Sequence, residues 1–202
     1  MISELQKGQG IIMEHAQHIR PARDEDLERI AEIEIFNYRL NFYPIFRSDS
    51  YYFREKTVLN LMRFYRGEPE TIPHTFVYDD GVVKGFVRVN GDTIEKLFVE
   101  PVLQNRGIGD ALFRYAVEVR GGKRLLVLEK NLRAIRFYER HGFHLTDRKQ
   151  RVDDTNEFFN LYGTILIVSL SCLVLQSAQT FAIMQMNTLP FHQRGNRSEE
   201  IL

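Results

Sequence analysis

The residues best suited to chemistry lie in the run Val99-Glu100-Pro101-Val102-Leu103-Gln104-Asn105-Arg106-Gly107-Ile108-Gly109. Gly107 and Gly109 sit where an extended apolar segment gives way to a helical pattern, with Ile108, Leu112, Tyr115, Ala116 and Val119 at i, i+4, i+7, i+8 and i+11. Such a turn gathers free backbone N–H groups at one point, and the helix dipole adds partial positive charge there. The chemistry this offers is binding of an anion, most often a phosphate; the other reading is a glycine-lined tight turn with no ligand. The loop is not a Walker A loop, because Val117 stands where a glycine must precede Gly122-Lys123. Nor is it the dinucleotide fingerprint, because Leu112 replaces the third glycine.

The elements that must position this loop are legible around it. The preceding segment, about Asp92 to Glu100, reads as a strand with Ile94, Lys96 and Phe98 on one face and Glu95, Leu97 and Val99 on the other. It is the third strand of a meander that starts at Thr75-Phe76-Val77-Tyr78, continues from Val82 to Val89 and turns at Asn90-Gly91, the signature of a type I′ hairpin. Upstream, His18 to Ala22 reads as a first strand and Asp24 to Leu40 as a helix with acidic residues in its first turn. Pro44 breaks that pattern, and a second helix is expected from about Asp49 to Arg66. Downstream, Gly121-Gly122 ends the loop's helix and Arg124 to Leu128 forms a strand. Asn131 then caps a helix that stops at Gly142.

The loop together with Asn131-Leu132-Arg133-Ala134-Ile135-Arg136-Phe137-Tyr138-Glu139-Arg140-His141-Gly142-Phe143 resembles the GNAT family of acyl-CoA N-acyltransferases. Both blocks of that family are present in order, a Gln-x-x-Gly-x-Gly loop and an Asn, Ala, Phe-Tyr, Gly-Phe block, over about residues 18–162. The resemblance implies an α/β (α+β) fold, a mixed and mostly antiparallel sheet flanked by helices, with Phe143 to Arg151 and Asn156 to Tyr162 as its last two strands. It implies an N-acetyltransferase that moves an acetyl group from acetyl-CoA to an amine acceptor in a ternary complex, with acetyl-CoA as co-substrate and no metal. On the same basis, backbone N–H groups of Gln104, Asn105, Arg106, Gly107, Ile108 and Gly109 hold the pyrophosphate, Arg106 adds charge, and backbone groups of Leu97, Phe98 and Val99 pair with the pantetheine arm. The N–H of Leu97 stabilises the oxyanion, Asn131 contacts the pantetheine or serves as a cap, and Tyr138 stands near the CoA sulfur. Many members carry a glutamate base where this chain has Thr93; Glu95, on the same strand face, is the candidate base, and the other readings are an ordinary cleft or surface carboxylate with solvent deprotonating the amine. The aromatic run from Tyr38 to Tyr65 is the expected acceptor wall, its rings divided between core and cleft. A catalytically idle acyl-CoA-binding or sensing module is the alternative.

Composition narrows the classes further. The formal net charge is +0, which gives no electrostatic case for nucleic acid. One cysteine, Cys172, excludes an internal disulfide and a cysteine-rich metal site and fits a reducing, cytoplasmic setting. Residues 1–17 read as a polar extension and 18–162 as the transferase domain. Residues 163–202 form a C-terminal extension with no charged side chain before Arg194. Its apolar part, 163–186, has three readings: a membrane anchor, an extra buried element or arm that forms a homodimer, or sequence past the domain's natural end.

Overall fold

The computed structural model describes residues 17–164. The apolar C-terminal stretch after Thr164, and every reading of it, lies outside the described residues, as does the N-terminal extension to Ala16. No helix among the described residues is long and apolar enough to cross a membrane.

Among the described residues seven strands make one sheet in the order β1-β2-β3-β4-β5-β7-β6. They are β1 (Ile19–Pro21), β2 (Thr75–Asp79), β3 (Val83–Asn90), β4 (Thr93–Val99), β5 (Arg124–Leu128), β6 (His144–Arg151) and β7 (Phe158–Gly163). Every neighbouring pair is antiparallel except β4 and β5. Five α-helical segments among the described residues accompany the sheet: α1 (Leu27–Asn41), α2 (Tyr43–Phe46), α3 (Val58–Gly67), α4 (Ile108–Arg114) and α5 (Leu132–Arg140). The mixed, mostly antiparallel sheet flanked by helices is the architecture expected from the sequence.

Each face of the sheet buries its own apolar cluster. Leu27, Ile30, Ala31 and Ile33 of α1 and Leu61 and Tyr65 of α3 meet Val77, Val83 and Phe86. On the other face, Ile108, Leu112 and Phe113 of α4 meet Val87, Ile94, Val99, Leu125 and Val127. Removing these side chains from water is the main favourable term in folding. It fixes both helical layers against the strands that carry the site.

Four local expectations are corrected. The second helix is split: Ser50–Glu55 forms a π-helical turn, Lys56 leaves the helical region, and Thr57 caps α3 by accepting the Asn60 N–H at 3.3 Å. The β3–β4 hairpin pairs Asn90 with Thr93 around Gly91 and Asp92. Of these four only Gly91 has positive φ, 57°, so the turn follows the II′ rather than the I′ pattern. Val119 falls off the apolar stripe of α4 and is 62% exposed. A π-helical turn over Tyr115–Val119 inserts extra backbone there and rotates it outward.

The fourth correction concerns the faces of β4. Arg88 pairs with Lys96 but Val89 pairs with Ile94, so Glu95 is a bulge residue without a cross-strand partner. The bulge breaks the two-residue alternation. Ile94 joins Leu97 and Val99 against the α4 cluster, whereas Phe98 packs against the α1 cluster and Lys96 bonds Glu34 of α1. Glu95 and Lys96 therefore sit together toward α1, opposite Leu97.

Candidate active site

β4 and β5 pair only at Thr93 with Arg124 and Ile94 with Leu125, and beyond that point they splay. The rest of β4 keeps β3 on one side and faces a gap on the other. Which backbone groups face the gap follows from the β3–β4 ladder. The Glu100 N–H donates to the Lys84 carbonyl at 2.8 Å, which makes Phe98/Phe86 a hydrogen-bonded pair and Leu97/Val87 and Val99/Gly85 non-bonded ones. The N–H and C=O of Leu97 and Val99 thus point into the gap. Those of Phe98 point at Phe86, so Phe98 has no main-chain group free for a ligand. The Val99 carbonyl is already taken, by Asn37 Nδ2 at 2.9 Å and Gln104 Nε2 at 3.1 Å.

Past Val99 the chain makes a 3₁₀ turn over Pro101–Leu103 and enters the glycine loop. The Gln104 N–H donates to the Pro101 carbonyl at 3.4 Å, and its side chain bonds Asn37 Oδ1 as well as Val99. Gln104 therefore tethers the loop to α1 instead of presenting its own donor. From Asn105 to Gly109 no N–H donates to another backbone group among the described residues. Asn105 and Gly107 take positive φ, 63° and 82°, and a Cβ at Gly107 would be strained. Gly109 lies against Phe137 of α5, where a Cβ would stand 3.7 Å from the ring. The Ile108 side chain is buried, and Arg106 is exposed and is not among the residues that line the cavity.

A cavity of about 710 Å³ connects this loop, the gap beside β4 and the segment 37–52. Tyr138 opens on it while packing against Phe113, with ring centroids 5.6 Å apart. Its hydroxyl bonds no other described residue, and burial pushes its pKa well above the usual tyrosine value, so it holds its proton at neutral pH. Asn131 also lines the cavity and caps α5, its Oδ1 accepting the Ala134 N–H at 3.2 Å. Three arginines of α5 that the sequence did not single out, Arg133, Arg136 and Arg140, line the same half of the cavity.

The other half is aromatic and ionic. Tyr38, Phe42, Phe46, Tyr51 and Tyr52 line it, whereas Tyr43, Phe53, Phe64 and Tyr65 of the aromatic run do not. Glu95 and Lys96 face it from the bulge. Behind them lies Glu34, wholly buried, which accepts from Lys96 Nζ and the Tyr65 hydroxyl. Burial alone would raise the Glu34 carboxyl, but the charges of Lys96, Lys56 and Arg88 hold it below the usual carboxylate range. Arg88 Nε donates to Thr75 Oγ1 at 3.0 Å. Arg88 Nη1 and Glu95 Oε1 are both buried without a hydrogen-bond partner among the described residues. A buried carboxylate oxygen without a donor, on the wall of a cavity, is positioned to take a proton or hold an ammonium. Among the described residues no group of three His, Cys, Asp or Glu could hold a metal ion.

Sequence reasoning missed Glu34, Arg88 and Asn37. Glu34 and Asn37 are polar residues one turn apart on the buried side of α1, next to Ile30 and Ile33, and that position was the available signal.

Comparison with known proteins identifies the family and the fold. A family profile described as "Acetyltransferase (GNAT) domain" matches residues 72–145. The chain is 31% identical over 114 residues to the peptidyl-lysine N-acetyltransferase YjaB of Salmonella typhimurium, covering 52% of this chain and 78% of that protein. It is 40% identical over 70 residues to the peptidyl-lysine N-acetyltransferase YiaC of Escherichia coli, covering 34% of this chain and 48% of that one. Among solved structures, apo YjaB from Escherichia coli superposes with a TM-score of 0.54 at 20% identity, over 73% of this chain and 96% of that one. The PaiA N-acetyltransferase of Thermoplasma acidophilum, in complex with coenzyme A, gives 0.52 at 19% identity, over 71% and 96%.

Proposed function

The chain belongs to the GNAT family of acetyltransferases, and from that premise we propose that it moves an acetyl group from acetyl-CoA to a primary amine by direct attack in a ternary complex. The observation that carries this reading is the shared cavity: the unpaired Leu97 N–H, the unbonded Tyr138 hydroxyl and the Glu95 carboxylate all face one space. The residues fit acetyl-CoA. The free donors of Asn105 to Gly109 suit a pyrophosphate, and the open edge of β4 at Leu97 and Val99 suits an amide-bearing arm.

Acetyl-CoA supplies an acyl thioester. The acceptor nitrogen attacks its carbonyl carbon, the oxygen takes the negative charge, and the Leu97 N–H donates to it. Glu95 takes the ammonium proton before attack, directly or through water. As the C–S bond breaks, Tyr138 gives its proton to the departing thiolate and regains one, through water, from the attacking nitrogen, which ends as the neutral amide.

For the acceptor we propose the side chain of a lysine in a polypeptide. The relatives named as peptidyl-lysine N-acetyltransferases support this. So does the cavity, whose aromatic walls Tyr38, Phe42 and Tyr52 suit a long methylene stem, with Glu95 at the inner end for the ammonium. The test is release of free thiol from acetyl-CoA against a panel of amines that includes lysine peptides. Transfer to peptide lysine above free lysine and small amines is the expected result. Acetyl-CoA binding with no transfer to any amine would identify an idle binding module instead.

A further inference from the structure

The glycine loop can serve two phosphates, but coenzyme A carries a third, on the 3′ position of its ribose. We propose that Arg136 and Arg140 of α5 bind that 3′-phosphate, so that the protein selects coenzyme A over its 3′-dephospho form. The inference rests on the acyl-CoA reading above.

Three observations place the cations. The arginine within the loop, Arg106, is exposed and does not line the cavity, whereas Arg136 and Arg140 do. Arg136 and Arg140 are four residues apart on one face of α5, about 6 Å along its axis, and both line the cavity. They bracket Phe137, which touches Gly109, so the pair stands directly beside the loop. Arg140 is also held in place: its guanidinium lies 5.6 Å from the Phe137 ring centroid and 3.8 Å from the Asp110 carboxylate. Asp110 in turn takes His141 Nε2 at 3.0 Å, and His141 Nδ1 lies 2.8 Å from the Phe137 carbonyl. The network leaves the planar forks of two arginines on the cavity rim, a geometry suited to a dianionic phosphate.

The test is calorimetric titration of the full chain with coenzyme A and, separately, with 3′-dephospho-coenzyme A, in the wild type and in Arg136→Ala/Arg140→Ala. Arg148→Ala, which alters net charge on exposed β6, serves as the control. The wild type is expected to favour coenzyme A by about tenfold or more, the range of one lost charge-assisted contact or more. The double variant should bring the two affinities together by weakening coenzyme A alone, and Arg148→Ala should leave the preference in place. The proposal is overturned if the wild type binds both forms equally, or if the double variant weakens both by the same factor, which would put the arginines on the pyrophosphate. Failure of the wild type to bind either form would overturn the acyl-CoA reading and this one with it, and is distinguishable from the other outcomes.

Discussion

Glu34 offers the sharpest test of how the site is held. Its carboxylate, on α1, is wholly buried and receives the Lys96 ammonium and the Tyr65 hydroxyl. Replacing Glu34 with Ala strands the Lys96 charge in an interior it shares with Arg88. Breaking a buried pair from one side costs about 3–5 kcal/mol, which for a domain of this size lowers Tm by roughly 6–20 °C. The variant Glu34→Leu/Lys96→Met removes both charges. Apolar replacement of a whole pair is close to neutral, so what remains is the Tyr65 hydroxyl without an acceptor, about 1–3 kcal/mol, and Arg88 with Glu95 as its neighbouring carboxylate. Urea unfolding of the two variants at neutral pH measures the difference. The reasoning is refuted if Glu34→Ala costs less than about 1 kcal/mol, or if the paired replacement is as damaging as the single one.

Four further outcomes follow from the same structure. Glu95→Gln should lower kcat/KM by about 10²- to 10⁴-fold while coenzyme A affinity by calorimetry stays unchanged; an equal loss of affinity would assign Glu95 to binding. Tyr138→Phe should slow turnover without lowering Tm, because no described residue bonds the hydroxyl; a drop in Tm of several degrees would make it structural. Asn37→Leu should weaken coenzyme A binding, since the Asn37 amide ties α1 to the Val99 carbonyl and to Gln104; unchanged affinity would show that the loop needs no tether. The Asp26 carboxyl, which burial would raise, is held below its ordinary range by hydrogen bonds from Arg20 and the Arg23 N–H, and Glu34 is depressed as well. A depressed carboxylate contributes stability above its unfolded pKa and loses it as pH falls through the folded value. Stability should therefore hold steady down to the ordinary carboxylate range and drop below it, and Asp26→Asn should flatten that drop.

What the sequence made legible was local. The glycine loop, the Asn131 cap, the stop at Gly142 and the order of strands each rest on a few adjacent residues with one dominant backbone preference. The faces of β4 were not legible, because a bulge leaves no mark in the residue types of Ile94-Glu95-Lys96, and one inserted residue reverses every side chain on one side of it. The direction of the Phe98 main chain was hidden for a related reason: it depends on which pairs of the ladder are bonded. Arg106 and the α5 arginines show the limit again. The arginine within the motif does not line the cavity, whereas the exposed arginines of α5 do, and it is the packing of α5 beside the loop that places them there.

The central claim is that backbone donors of the loop and the open edge of β4 receive one ligand. Amide NMR of the uniformly ¹⁵N-labelled chain, titrated with acetyl-CoA, addresses those donors individually. The largest shift changes should fall on Asn105 to Gly109 and on Leu97 and Val99, with Phe98 and the distant turn at Gly81 little changed. Saturating acetyl-CoA that leaves the Gly107, Gly109 and Leu97 amides where they were would contradict the account.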